Sequence, residues 1–217
     1  MAFRSAMTCA PTNRRVGLAG HLAEIRRWRY AWGMLINHER EKLIQAVKFF
    51  AQNTRSLGKT KLYKLLYFLD FTHFRDTGRP VTGMEYFAWP MGPVPVDLHQ
   101  ELQAPSPDWD HNCRFKLVPV RGKEMLTVSA LSDFDGTHFS KRELRILTEL
   151  AREFHDASAD QMVERTHLEN LPWHQVYEIE KRKQKLIPYS MSLRKQDVEN
   201  MISSINEREE IIAVLGK

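Results

Sequence analysis

One stretch limits the fold of this chain more than any other. Within residues 60–77, Leu62, Leu65, Leu66 and Leu69 recur at helical spacing, and Tyr63, Tyr67, Phe68, Phe71 and Phe74 carry the apolar surface well past one face. A helix that is apolar most of the way round needs other elements on every side of it. Gly78 supplies its stop and Pro80 follows. The remainder of the chain is therefore expected to wrap this segment.

The flanking pattern reads as helices, a small strand region, then helices again. A helix is expected over about 37–53, with Asn37 as N-cap, Glu39 and Glu41 in the first turn, and Leu43, Ile44, Val47, Phe50 and Ala51 on one face. Residues 84–89 look like a short strand. Pro90, Gly92, Pro93 and Pro95 are then expected to forbid regular structure before a helix over about 96–102. Residues 114–131 read as a β-hairpin turning at Gly122. Ser140-x-x-Glu143 and Ser158-x-x-Gln161 are capping boxes, the second opening a helix to about Leu168. Pro172 suits the first turn of another helix, "KRKQK" a solvated connector, and "LIPYS" an extended segment. A last helix is expected over about 193–215, with Val198, Met201, Ile202, Ile205 and Ile212 on one face. The class is α+β, mainly α: a helical domain with a small antiparallel sheet or hairpin.

Charge has to be located before it is interpreted. The chain carries a formal +5, and Arg4, Arg14, Arg15, Arg26, Arg27 and Arg29 against Glu24 give residues 1–33 the whole of it. Those residues are expected to be a disordered basic leader, or to lie upstream of a true start at Met34. Residues 34–217 are expected to be one domain, and they are neutral, with 26 basic and 26 acidic side chains. That balance disfavours nucleic acid as a partner. Cys9 and Cys113 stand too far apart in sequence to form a local metal or redox pair, which suits a reducing cytoplasmic setting. No segment is long and apolar enough to span a bilayer, so no membrane partner is expected.

The stretch from Gly58 to His99 resembles the signature of the Panacea (SocA-like) antitoxin family. A lysine-led helix, Lys61 to Phe68, is followed by the turn Gly78 to Pro80, by Ala88-Trp89 closing a strand, and by Gly92-Pro93-Val94 leading into a helix. "LIPYS" resembles the family's closing segment, and the likeness runs from about Met34 to Leu193. It implies an antitoxin of a type II-like toxin–antitoxin system, often prophage-associated. Such a protein neutralises a cognate protein toxin by direct contact and needs no cofactor. One relative instead acts as a proteolytic adaptor that hands its toxin to a cytoplasmic ATP-dependent protease, which makes such a protease the second partner to consider.

The expected partner surface is the N-terminal part of the apolar helix together with the Pro/Gly loop: Lys59, Lys61, Lys64, Tyr67, Met91, Gly92, Pro93, Val94 and His99. Leu62, Leu65, Leu66 and Trp89 are expected to be structural. Three lysines at a helix N-terminus oppose the macrodipole. They read either as facing an acidic surface or a phosphate, or as solvated side chains whose stems cover aromatic surface, and the second reading is preferred. Catalytic and metal residues are expected to be absent. A metal-dependent hydrolase built on His155, Asp156, Asp160, Glu164 and His167 is the alternative from another class, but the cluster lacks a second His-rich motif at ligand spacing. Asp70 and His73 could pair as carboxylate and base, yet Asp70 is better read as a satisfied polar group. A DNA-binding autoregulator has no evident helix-turn-helix to rest on.

Overall fold

The structure is a computed structural model that describes residues 38–120, 122–168, 171–193 and 198. The helix that had to be interior is interior. Helix α2 (Lys59–Thr77) buries every residue from Lys61 to Tyr67, and also Leu69, Asp70, Phe71 and His73. Gly78 ends it in the left-handed conformation, φ 71°, with its N–H on Phe74 O at 2.7 Å. Around it pack α1 (Glu39–Asn53), α4 (Lys141–Glu153), α5 (Ala159–Thr166), strand β2 (Gly92–Pro95) and the 3-10 turn Tyr189–Ser192. Between them in the chain come β1 (Tyr86–Trp89), α3 (Val96–Glu101), β3 (Cys113–Val120) and β4 (Lys123–Ala130), and α6 (Pro172–His174) runs on into a π-helical turn, Gln175–Ile179. The fold is mainly α with two small antiparallel two-stranded sheets, β1–β2 and β3–β4.

Local chemistry accounts for most boundaries. Both capping boxes are closed, with Ser140 and Ser158 each exchanging bonds with the residue three further on. Pro172 opens α6. The N-cap of α1 is His38, which makes no side-chain cap bond and instead stacks on His138 at 4.0 Å. Asn37 and the helix expected over 193–215 fall outside the described residues, Leu193 and Val198 excepted. "KRKQK" is exposed. "LIPYS" divides in two: Leu186 bridges to Phe87, and Tyr189–Ser192 then coils into the 3-10 turn.

The Pro/Gly run corrects an expectation. Residues Gly92–Pro95 are a strand, and a buried one. Its register with β1 sets Ala88 opposite Pro93 and Tyr86 opposite Pro95. Tyr86 and Ala88 spend their backbone groups on the other side, with Ala88 N–H on Lys185 O (2.9 Å), Gln184 N–H on Ala88 O (2.7 Å) and Ile187 N–H on Tyr86 O (2.8 Å). Both prolines therefore occupy non-hydrogen-bonded pairs, where a missing N–H costs the ladder nothing.

Asp70 fastens α2 to the segment that leads into β1. Its carboxylate accepts from Val81 N (2.8 Å), Thr82 N (2.7 Å), Thr82 Oγ1 (2.5 Å) and Tyr86 OH (2.8 Å). Burial pushes the Asp70 carboxyl up to about 6 against these four donors, which favour the anion. His73 does not pair with Asp70; its Nδ1–H donates to Arg79 O at 2.8 Å. Asp70→Ala would strand four buried donors and is expected to cost about 3–5 kcal/mol of stability. Urea unfolding measures this, and a loss below about 1 kcal/mol would contradict the clamp.

Candidate partner-binding face

The first turns of α2 lie against β2, and two buried lysines make the junction. Lys64 is 1% exposed, and its Nζ donates to Pro93 O at 2.9 Å, the carbonyl that β2 turns away from β1. No carboxylate pairs with Lys64 among the described residues, and burial pulls its ammonium down to about 7. Lys61 is 2% exposed and donates to Arg55 O (3.0 Å) and His155 O (2.9 Å). His155 lies just past the end of α4, where a helix favours a nearby cation. The expectation of solvated side chains is thus corrected for Lys61 and Lys64: each reaches backbone carbonyls that its own helix cannot satisfy. Lys59 is exposed and makes no ion pair among the described residues.

Gly92 is required at its position. Its φ is +97°, and a Cβ there would meet Lys64 Cε and Nζ at 2.8 Å and Thr166 Oγ1 at 2.7 Å. Behind this contact, Trp173 donates its indole N–H to Trp89 O at 2.9 Å and stacks on His167 at 3.7 Å and on Tyr177 at 4.7 Å. His167 Nε2 is buried with no hydrogen-bond partner among the described residues. Burial lowers the basicity of that ring, and the Lys64 charge adds to the effect. Tyr67 is buried among Phe68, Phe71 and Tyr86.

The expected surface residues meet in space but differ in reach. Gly92, Pro93 and Val94 are buried with Lys61, Lys64 and Tyr67, and they build the face from beneath. Solvent reaches Lys59, Met91 (58% exposed) and part of His99. His99 Nδ1 lies 3.2 Å from Tyr63 OH and its ring stands edge-on to Trp89, which is half-buried against the core. Leu62, Leu65 and Leu66 are fully buried. Thr166, His167 and Trp173 join this neighbourhood from far along the chain; His167 was singled out only as part of the polar cluster, and no local spacing tied any of the three to Gly92.

The polar cluster near the end of α4 disperses. His155 is half exposed and contacts Asp156 at 3.1 Å, Asp156 reaches Arg55 at 3.3 Å, and His167 lies flat on Trp173. Among the described residues no three His, Cys, Asp or Glu side chains stand together as metal ligands. No helix among them is long and apolar enough to cross a membrane.

The helix is thus clamped on a Pro-bearing ribbon, with an exposed cation, Lys59, and an exposed methionine, Met91. The chain matches the family model of the antitoxin SocA-like Panacea domain over residues 62–174, just over half its length, and it belongs to that family. Membership gives it a toxin–antitoxin role in general. No curated protein and no solved structure matches the chain.

Lys64 makes a pH signature. The unfolded chain holds the lysine proton up to about 10.5 and the folded chain only to about 7, so stability rises with pH across that window and is flat below it. Between pH 7 and 9 the gain from this one group is expected to be about 2 kcal/mol. Lys64→Met should abolish that rise, which urea midpoints at the two pH values would read; an equal rise in both proteins would contradict it.

Proposed function

We propose that this protein is an antitoxin that neutralises a cognate protein toxin in the cytoplasm by direct, non-enzymatic contact. The observation that carries the reading is Met91, largely exposed at the tip of a ribbon whose second strand is buried and which Lys64 and Trp173 pin. An apolar, adaptable side chain on a rigid mount loses little entropy when a partner covers it. Lys59 and His99 extend the same rim, so the toxin surface that fits has an apolar recess with acid beside it. The buried thiol of Cys113, pushed up to about 12 by burial, suits a compartment that keeps thiols reduced.

The experiment is co-expression with the product of the adjacent gene. Growth arrest by that product should be relieved, and the two proteins should copurify. Met91→Glu and Lys59→Glu, both on exposed positions, should each weaken the complex about tenfold or more with the circular dichroism unchanged. Copurification that neither substitution affects would place the contact elsewhere. An absence of both complex and rescue would remove the reading.

A further inference from the structure

The β3–β4 hairpin carries an edge that the fold leaves open. Val128 turns its N–H away from β3, to Leu57 O at 2.9 Å, so its pair with Phe115 is a non-hydrogen-bonded one. Strict alternation then points the backbone groups of Cys113, Phe115, Leu117 and Pro119 outward on the β3 side. The β4 side is closed over its inner half, because Gly58 bridges to Thr127 beside the Leu57 contact. On the β3 side the N–H and C=O of Phe115 and Leu117 have no partner among the described residues.

The side chains along this edge sort by face. Phe115 and Leu117 share one with Leu126 and Val128; the inner end is buried and Leu117 is 57% exposed. Arg114 and Lys116 share the opposite face with Met125, which is 40% exposed. Both cations are exposed, and neither has an ion pair among the described residues. This arrangement selects what can add to it. A second copy pairing edge to edge would set Arg114 and Lys116 against the same two cations, and like charges directly opposite one another destabilise a sheet. Pro119 offers no N–H, so a ladder would stop there. A short strand with acids on one face and apolar residues on the other satisfies both faces and the open backbone.

We propose that an extended acidic–apolar segment of the protein partner adds to β3 as a third strand, its acids over Arg114 and Lys116 and its apolar side chains over Phe115 and Leu117. The inference rests on the reading that this chain acts by binding a protein. The added strand is short, because the open edge ends at Pro119.

The test is amide hydrogen exchange on the full chain, alone and with a ten-residue peptide of alternating Glu and Val or its Lys–Val counterpart. The Glu–Val peptide should slow exchange at Phe115 and Leu117 at least tenfold, while Lys116 and Val118, already bonded to β4, stay unchanged. The Lys–Val peptide should do nothing, Lys116→Glu should remove the preference, and Arg114→Glu combined with Lys116→Glu should reverse it. Leu117→Pro, which removes an N–H that β4 does not use, should abolish the protection. Unchanged exchange with the acidic peptide, equal protection by both peptides, or protection that grows with protein concentration alone would overturn the proposal. The two readings fail separately. A Leu117→Pro chain that still binds and neutralises the toxin sinks the edge and leaves the antitoxin. If the unsubstituted chain fails to neutralise, the peptide experiment still decides the edge.

Discussion

Burial of α2 over its middle turns, Lys61 to His73 with only Phe68 and Thr72 partly exposed, is the constraint on which the remaining structure depends. A helix enclosed over its middle turns cannot leave the ionisable groups there in water, and two lysines, an aspartate and a histidine lie inside. Each is spent on the main chain of another segment: Lys61 on Arg55 and His155, Lys64 on Pro93, Asp70 on Val81 and Thr82, His73 on Arg79. Buried polar groups are costly when unmet and directional when met. The helix thus orients the loop before it, the ribbon after it and the end of α4 by hydrogen bonds, where apolar packing alone would permit sliding.

The same geometry divides labour within the candidate face. Residues beneath it are fixed by backbone contacts and by the Trp173–His167 stack, while the residues that solvent reaches are few and at the rim. A face of that kind leaves no room for a side chain at Gly92, which would meet Lys64 and Thr166 at once. The hairpin is built differently. Its inner half is held to α1 and to the chain ahead of α2, and its outer half projects with both faces open.

What could be read in advance followed local rules. The two serine boxes, the glycine stop of α2, the prolyl start of α6 and the alternation of the hairpin are all decided by residues within a few positions of each other. The strand Gly92–Pro95 was hidden because its prolines are acceptable only at pairs that need no N–H, and the register fixing those pairs comes from residues 184–187. Lys61 and Lys64 looked like surface charges for a related reason: their acceptors are carbonyls, which leave no mark in a sequence. The place of Thr166, His167 and Trp173 beside Gly92 was invisible for want of any short-range relation to it, although His167 had been named for a metal cluster that does not form among the described residues. The Asp70 cluster lies between these cases, since a lone acid on an apolar helix announces that it must be satisfied without saying by whom.

An amine that gives up its proton still keeps two N–H bonds. Lys64 can therefore hold the Pro93 carbonyl whether or not it is charged, and a proton entering or leaving near neutrality alters the energy of the fold without releasing the strand. The ribbon tip that carries Met91 is in this way insulated from the acidity of its surroundings. A carboxylate–lysine pair at the same spot would have tied the shape of the tip to the charge state of both partners.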